Sequence, residues 1–147
     1  MEASAESSLI RLATSEEEYR VCAPVMLQLR PHLTGTTLVA QIQRQRLEGY
    51  HLAYLTTASG QVACAAGFRL LRNLAWGRFL YVDDLVTAEA ERSSGHGASM
   101  LRWLEAHARQ YGCAALHLDS GLQRESAHRF YRREDLEITS YHFQKIL

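Results

Sequence analysis

The chain has 147 residues, with 16 Lys and Arg against 16 Asp and Glu, and no formal net charge. That balance argues against a general nucleic-acid or membrane-surface binder, which would carry a basic excess. With 47% hydrophobic and 22% charged residues, it reads as one domain, long enough to bury roughly 70% of its unfolded surface.

Cys22, Cys64 and Cys113 lie far apart and form no Cys-x-x-Cys pair, so no zinc site is expected. Their wide spacing points to reduced thiols in a cytoplasmic protein. The beginning of the chain carries Glu2 and Glu6 and lacks the apolar stretch of a signal peptide. The longest apolar run, residues 62–68, is too short to span a bilayer.

Residues 1–7 are small and polar and predict a frayed end. Leu9-Ile10-Arg11-Leu12-Ala13 predicts a first strand. Thr14-x-x-Glu17 and Ser15-x-x-Glu18 each fit a capping box for a helix through Tyr19, Cys22, Val25, Met26 and Leu29, broken near Pro31. Residues 32–37 read as a loop and 38–47 as a shorter helix ending at Gly49. Residues 50–57, 62–71 and 79–87 predict three strands in an antiparallel meander, joined by a turn at 58–61 and a loop at 72–78. After Gly97 a helix places Leu101, Leu104, Ala108 and Tyr111 on one face, with Glu105 and Arg109 paired on the other. A strand at 113–119, a loop at 120–123, a helix at 125–133 and a terminal strand at 137–147 complete the order. The fold class is α+β: a mixed sheet with helices on both faces. Its one parallel link crosses from 79–87 to 113–119 through the helix.

The stretch from Phe79 to Tyr111 organises the rest. A strand carrying Asp83 and Asp84 is followed by Arg92-Ser93-Ser94-Gly95-His96-Gly97-Ala98 and then the helix. A helix N-terminus offers unpaired N–H groups and the positive end of the macrodipole, which suits a phosphate or pyrophosphate. There is no Gly-Lys pair for a P-loop, and Met100 occupies the place of a third glycine in a dinucleotide fingerprint. Asp119-Ser120-Gly121 is no serine-hydrolase elbow.

Arg92-x-x-Gly95-x-Gly97-Ala98, preceded by Leu85-Val86-Thr87, resembles the acyl-CoA motif of the GNAT N-acetyltransferases. Ala127-His128-Arg129-Phe130-Tyr131 resembles the Ala-x-x-x-Tyr helix of the same family, and together with Tyr141-His142-Phe143 it is similar to the bacterial aminoalkylphosphonate N-acetyltransferases. The resemblance implies a splayed strand pair that admits acetyl-CoA as co-substrate. Its pantetheine would pair with the backbone at Leu85, Val86 and Thr87. Its pyrophosphate would lie on Arg92, Ser94, Gly95, His96, Gly97 and Ala98, with the Ser99 hydroxyl added and His96 contributing its backbone N–H. The N–H of Val86 or a neighbour would serve as the oxyanion donor.

By the same resemblance Tyr131 is the proton donor to the departing thiolate. Asp83, nine residues before Arg92, is the base through a water. In a regular strand Asp83 and Asp84 point to opposite faces, so only one could face the notch, unless a bulge intervenes. Three departures from the family pattern stand out. Arg124 replaces the usual Asn, Asp135 the usual Gly, and Leu136 the usual aromatic. Arg124 could meet a phosphate instead, and Asp135 tolerates left-handed geometry. No metal is required. The acceptor implied is the primary amine of a small molecule, reached by direct transfer. Alternatives are a protein N-acetyltransferase or a non-catalytic acyl-CoA-binding regulatory domain. A homodimer through the terminal strand is one arrangement the resemblance allows.

Overall fold

A computed structural model describes residues 10–147. Leu9 and the expected frayed end at 1–7 lie outside the described residues. The chain forms two compact units, the first running to His117 and the second beginning at Leu118.

In the first unit β1 (Ile10–Ala13) leads into α1 (Glu16–Leu29). Of the two candidate caps the structure uses Ser15. Its Oγ accepts from Glu18 N–H at 3.2 Å and donates to Glu18 Oε1 at 3.1 Å. Pro24 sits inside α1 on its exposed side, while Tyr19, Cys22, Ala23, Val25 and Met26 are buried. α2 (Gly35–Arg46) begins three residues before the expected Leu38. Thr34 caps it, trading hydrogen bonds with Thr37 in a Thr–Thr box in which Thr37 takes the place of the usual Glu or Gln.

β2 (His51–Thr56), β3 (Val62–Asn73) and β4 (Gly77–Thr87) form the expected antiparallel meander. The expected loop at 72–78 is shorter, because β3 and β4 pair out to Asn73 and Gly77. A short 3-10 turn at Glu89–Glu91 precedes α3 (His96–Gln110), and β5 (Ala115–Leu118) completes a sheet of order β1-β2-β3-β4-β5. The sheet is mixed, with one parallel pair, β4 and β5.

α1 packs on one face of β3 and β4, and α3 on the other. Met100, Leu101 and Leu104 of α3 are at most 1% exposed and Ala108 is buried. Each large side chain so buried contributes roughly 1.5–3 kcal/mol. Tyr111, expected on the same face, is instead 47% exposed. It caps the helix end, and its ring tilts against His107 at 4.7 Å. No disulfide joins the three cysteines, and burial pushes the Cys22 thiol up to about 12.

The second unit holds α4 (Glu125–Arg133), whose bounds are those expected. It ends in a Schellman motif: Leu136 N–H donates to Tyr131 O at 2.9 Å and Asp135 N–H to Arg132 O at 3.1 Å. Asp135 takes the left-handed turn at φ 67°, the role usually given to glycine. The terminal strand expected at 137–147 does not form, and residues 136–147 carry neither helix nor strand. A strand exists only through pairing, and Tyr141, Phe143 and Ile146 stay at least 80% exposed.

Candidate active site

β4 supplies the first half of the site. The Ala88 N–H donates to Ala63 O at 2.7 Å, and Cys64↔Thr87, Ala65↔Val86 and Ala66↔Leu85 are opposed. Antiparallel pairs alternate between hydrogen-bonded and non-bonded. Val86 therefore turns its backbone toward Ala65, and Leu85 and Thr87 turn theirs to the outer edge. On that side β5 starts beside the beginning of β4, where Ala114 N–H donates to Arg78 O at 2.9 Å. β5 has only four residues against eleven in β4 and begins beside Arg78, so the far end of β4, from Leu85 to Thr87, outruns it.

The second half is the start of α3. Gly95 is its N-cap at φ 83°, left-handed, with no side-chain cap. Ser93 also takes a positive φ, 69°. The first intrahelical bond is Ser99 N–H to Gly95 O at 3.0 Å, so the amides before Ser99 have no acceptor within the helix. Arg92, Ser94 and Gly95 are exposed, and Gly97 and Ala98 half-buried. The His96 ring is turned to Glu91, with Nε2 3.6 Å from Oε2 and only 12% of the side chain exposed, which leaves its backbone as the presented part. Ser99 is 1% exposed and belongs to the interior.

Asp83 sits at a bulge. The register passes from Gly67↔Asp84 to Phe68↔Val82, leaving Asp83 without an opposite residue. The regular-strand expectation is thereby overturned: both carboxylates lie on the α1 face, because the extra residue resets the alternation. Arg69 Nε donates to Asp83 Oδ2 at 2.9 Å. Arg30, the residue that caps α1, donates from Nε to Asp84 Oδ1 at 2.9 Å and from Nη2 to the Asp83 carbonyl at 3.0 Å. Tyr50 donates its hydroxyl to Asp84 Oδ2 at 2.8 Å. Burial raises the Asp83 pKa above its ordinary value, against the opposing pull of Arg69. A carboxylate so poised takes a proton more readily than a surface one.

The sequence alone does not mark Arg30, Arg69 and Tyr50 as part of the site. Their acidic partners lie 54, 14 and 34 residues away, and no local pattern signals such pairs.

In the second unit Tyr131 is half-buried. Burial raises its pKa, and the Arg124 guanidinium, hydrogen-bonded to the phenol, pulls the other way. The phenol is thus protonated at neutral pH. Arg124 stands at the N-cap of α4. His128 contacts Gly121 O at 2.8 Å.

Residues 14–134 match the acetyltransferase (GNAT) family. The chain belongs to that family. It is an N-acetyltransferase. Over 135 residues it is 35% identical to the uncharacterized N-acetyltransferase YhdJ of Bacillus subtilis (strain 168), covering 90% of this chain and 94% of that one. Over 66 residues it is 35% identical to the aminoalkylphosphonate N-acetyltransferase of Salmonella typhimurium, covering 45% of this chain and 43% of that one. An acetyltransferase of Trypanosoma brucei has the same fold, with a TM-score of 0.75 at 20% identity, over 94% of this chain and 98% of that one.

Among the described residues no helix is long and apolar enough to cross a membrane.

Proposed function

We propose that residues 1–147 act as one domain that moves an acetyl group from acetyl-CoA directly to the primary amine of a small molecule. The observation that carries this reading is a β4 edge that outruns β5, followed eight residues after Thr87 by the left-handed, uncapped start of α3. The family match, which runs through both compact units, supports treating them as one domain.

Leu85 and Thr87 offer edge groups to the pantetheine, with Val86 holding the edge to β3. Arg92, Ser94 and the amides of Gly95, His96, Gly97 and Ala98 hold the pyrophosphate. Asp83 takes, through a water, the proton an ammonium must lose before its nitrogen can attack the thioester carbon. Arg69 holds the carboxylate through Oδ2 at 2.9 Å, which fixes its orientation for that task. An edge amide of β4 next to Val86 stabilises the oxyanion. Tyr131 gives its phenolic proton to the thiolate as the C–S bond breaks and the C–N bond forms. Arg124 steadies that phenol.

The partial likeness to the Salmonella aminoalkylphosphonate enzyme supports an acceptor that carries a phosphonate beside its amine. The test is acetyl-CoA binding by calorimetry, followed by thiol release against a panel of small amines that includes aminoalkylphosphonates. Tight binding with turnover is the expected result, and Tyr131→Phe should slow transfer by roughly 10²-fold or more with binding intact. Binding without turnover of any small amine, but with acetylation of peptide N-termini, would replace the small-molecule reading with a protein acceptor.

A further inference from the structure

We propose that Arg30, held in place by Asp84 and Tyr50, is a positioning residue for acetyl transfer: it fixes the β4 bulge that aims the Asp83 carboxylate. The proposal rests on the assignment of Asp83 as the base.

A bulge leaves its extra residue outside the ladder. At Asp83 the carbonyl needs another donor, and Arg30 Nη2 supplies it at 3.0 Å. The same guanidinium grips Asp84 Oδ1 through Nε at 2.9 Å and Nη2 at 2.8 Å. Asp84 Oδ2 is taken by the Tyr50 hydroxyl at 2.8 Å. Both Asp84 oxygens are therefore committed, which makes Asp84 an anchor and not a second base.

The anchor reaches into the core. Tyr50 is 3% exposed, and its hydroxyl occupies the space beside Gly67 where a side chain would stand. Arg30 in turn is set by α1, where its own N–H closes the helix on Met26 O at 3.0 Å. The bulge thus takes its position from a helix end and a buried ring, while the Asp83 carboxylate is left to Arg69. Arg30 brings two nitrogens of one rigid plane to Asp84, and one of them also meets the Asp83 carbonyl. A lysine offers a single nitrogen on a flexible stem, so it loses one of these bonds and the planar fork that fixes the others.

Arg30→Lys in the full chain is the test, with Asp84→Asn and Tyr50→Phe beside it, each checked for a native thermal transition. Arg30→Lys should lower kcat roughly ten- to a hundredfold, leave KM for acetyl-CoA unchanged, and speed amide hydrogen exchange at residues 83–86. Asp84→Asn should do the same, and the double variant should be no worse than either single one. Wild-type kcat and wild-type exchange in Arg30→Lys would overturn the proposal, as would losses that simply add. Asp83→Asn separates the two readings. If it leaves kcat intact while Arg30→Lys still loosens the bulge amides, the base assignment falls and the pinned bulge stands.

Discussion

Three consecutive residues of β3 serve two unlike interiors. Gly67 and Arg69 face α1, where Tyr50, Arg30, Asp83 and Asp84 meet through directional, charge-assisted bonds of 2.8–3.0 Å. Phe68 between them faces α3. Its ring stacks on His51 at 5.4 Å and meets His107 and Trp103 edge-on at 5.2 and 6.1 Å. The ring face holds by area and contact, which small adjustments preserve. The polar face holds by donors and acceptors matched one to one, and it fails when one is left unpaired. The candidate base stands on the face where position is enforced by such bonds. The opposite face supplies stability.

The largest effect should come from the ring face. Phe68 has no exposed surface, and Phe68→Ala should cost about 3–5 kcal/mol in urea unfolding. A loss under about 1 kcal/mol would mean that the rings are not the core. On the polar face Gly67→Ala is next. A Cβ there would stand 1.8 Å from Tyr50 Oη, so Tyr50 must leave Asp84, at about 2–3 kcal/mol. Tyr50→Phe removes the same hydroxyl without the clash and should cost about 1–3 kcal/mol. If Gly67→Ala cost no more than Tyr50→Phe, the close approach of the ring would carry no energy of its own.

The smallest effects are in pH, and they run in opposite directions. Burial lowers the pKa of His51 and of His107 below the ordinary 6.5. The folded state then binds fewer protons than the unfolded one, so this contribution is intact above pH 6.5 and is lost as pH falls. Burial raises Asp83 above its ordinary 3.8. The folded state there binds more protons, so stability declines as pH rises from 3.8 through the raised value. Unfolding measured across pH should show His107→Phe flattening the first slope and Asp83→Asn the second. A single slope removed by both would mean the two faces titrate as one.

Local patterns in the chain carry most of the secondary structure. The meander follows from apolar runs broken by turn residues, and α4 occupies the expected bounds, Glu125–Arg133. Gly95 ahead of a periodic helix marks the start of α3, which begins at His96 and takes in Gly97, earlier than the expected start after Gly97. The Thr34 start of α2 is not legible in the sequence because Thr37 replaces the usual Glu or Gln of a capping box. The expected terminal strand is absent for a different reason. Tyr141 and Phe143 alternate as a strand should, but alternation does not supply a neighbour to pair with.

By itself the sequence determined the order of elements as far as α4, the glycine-led helix start and the family, since each depends on residues close in the chain. Only tertiary structure decided the β4 bulge, the commitment of Asp84 to Arg30 and Tyr50, and the outward turn of Leu85 and Thr87. Those depend on which residue of one strand meets which residue of the next. A slip of one place in that register moves a side chain to the other face of the sheet.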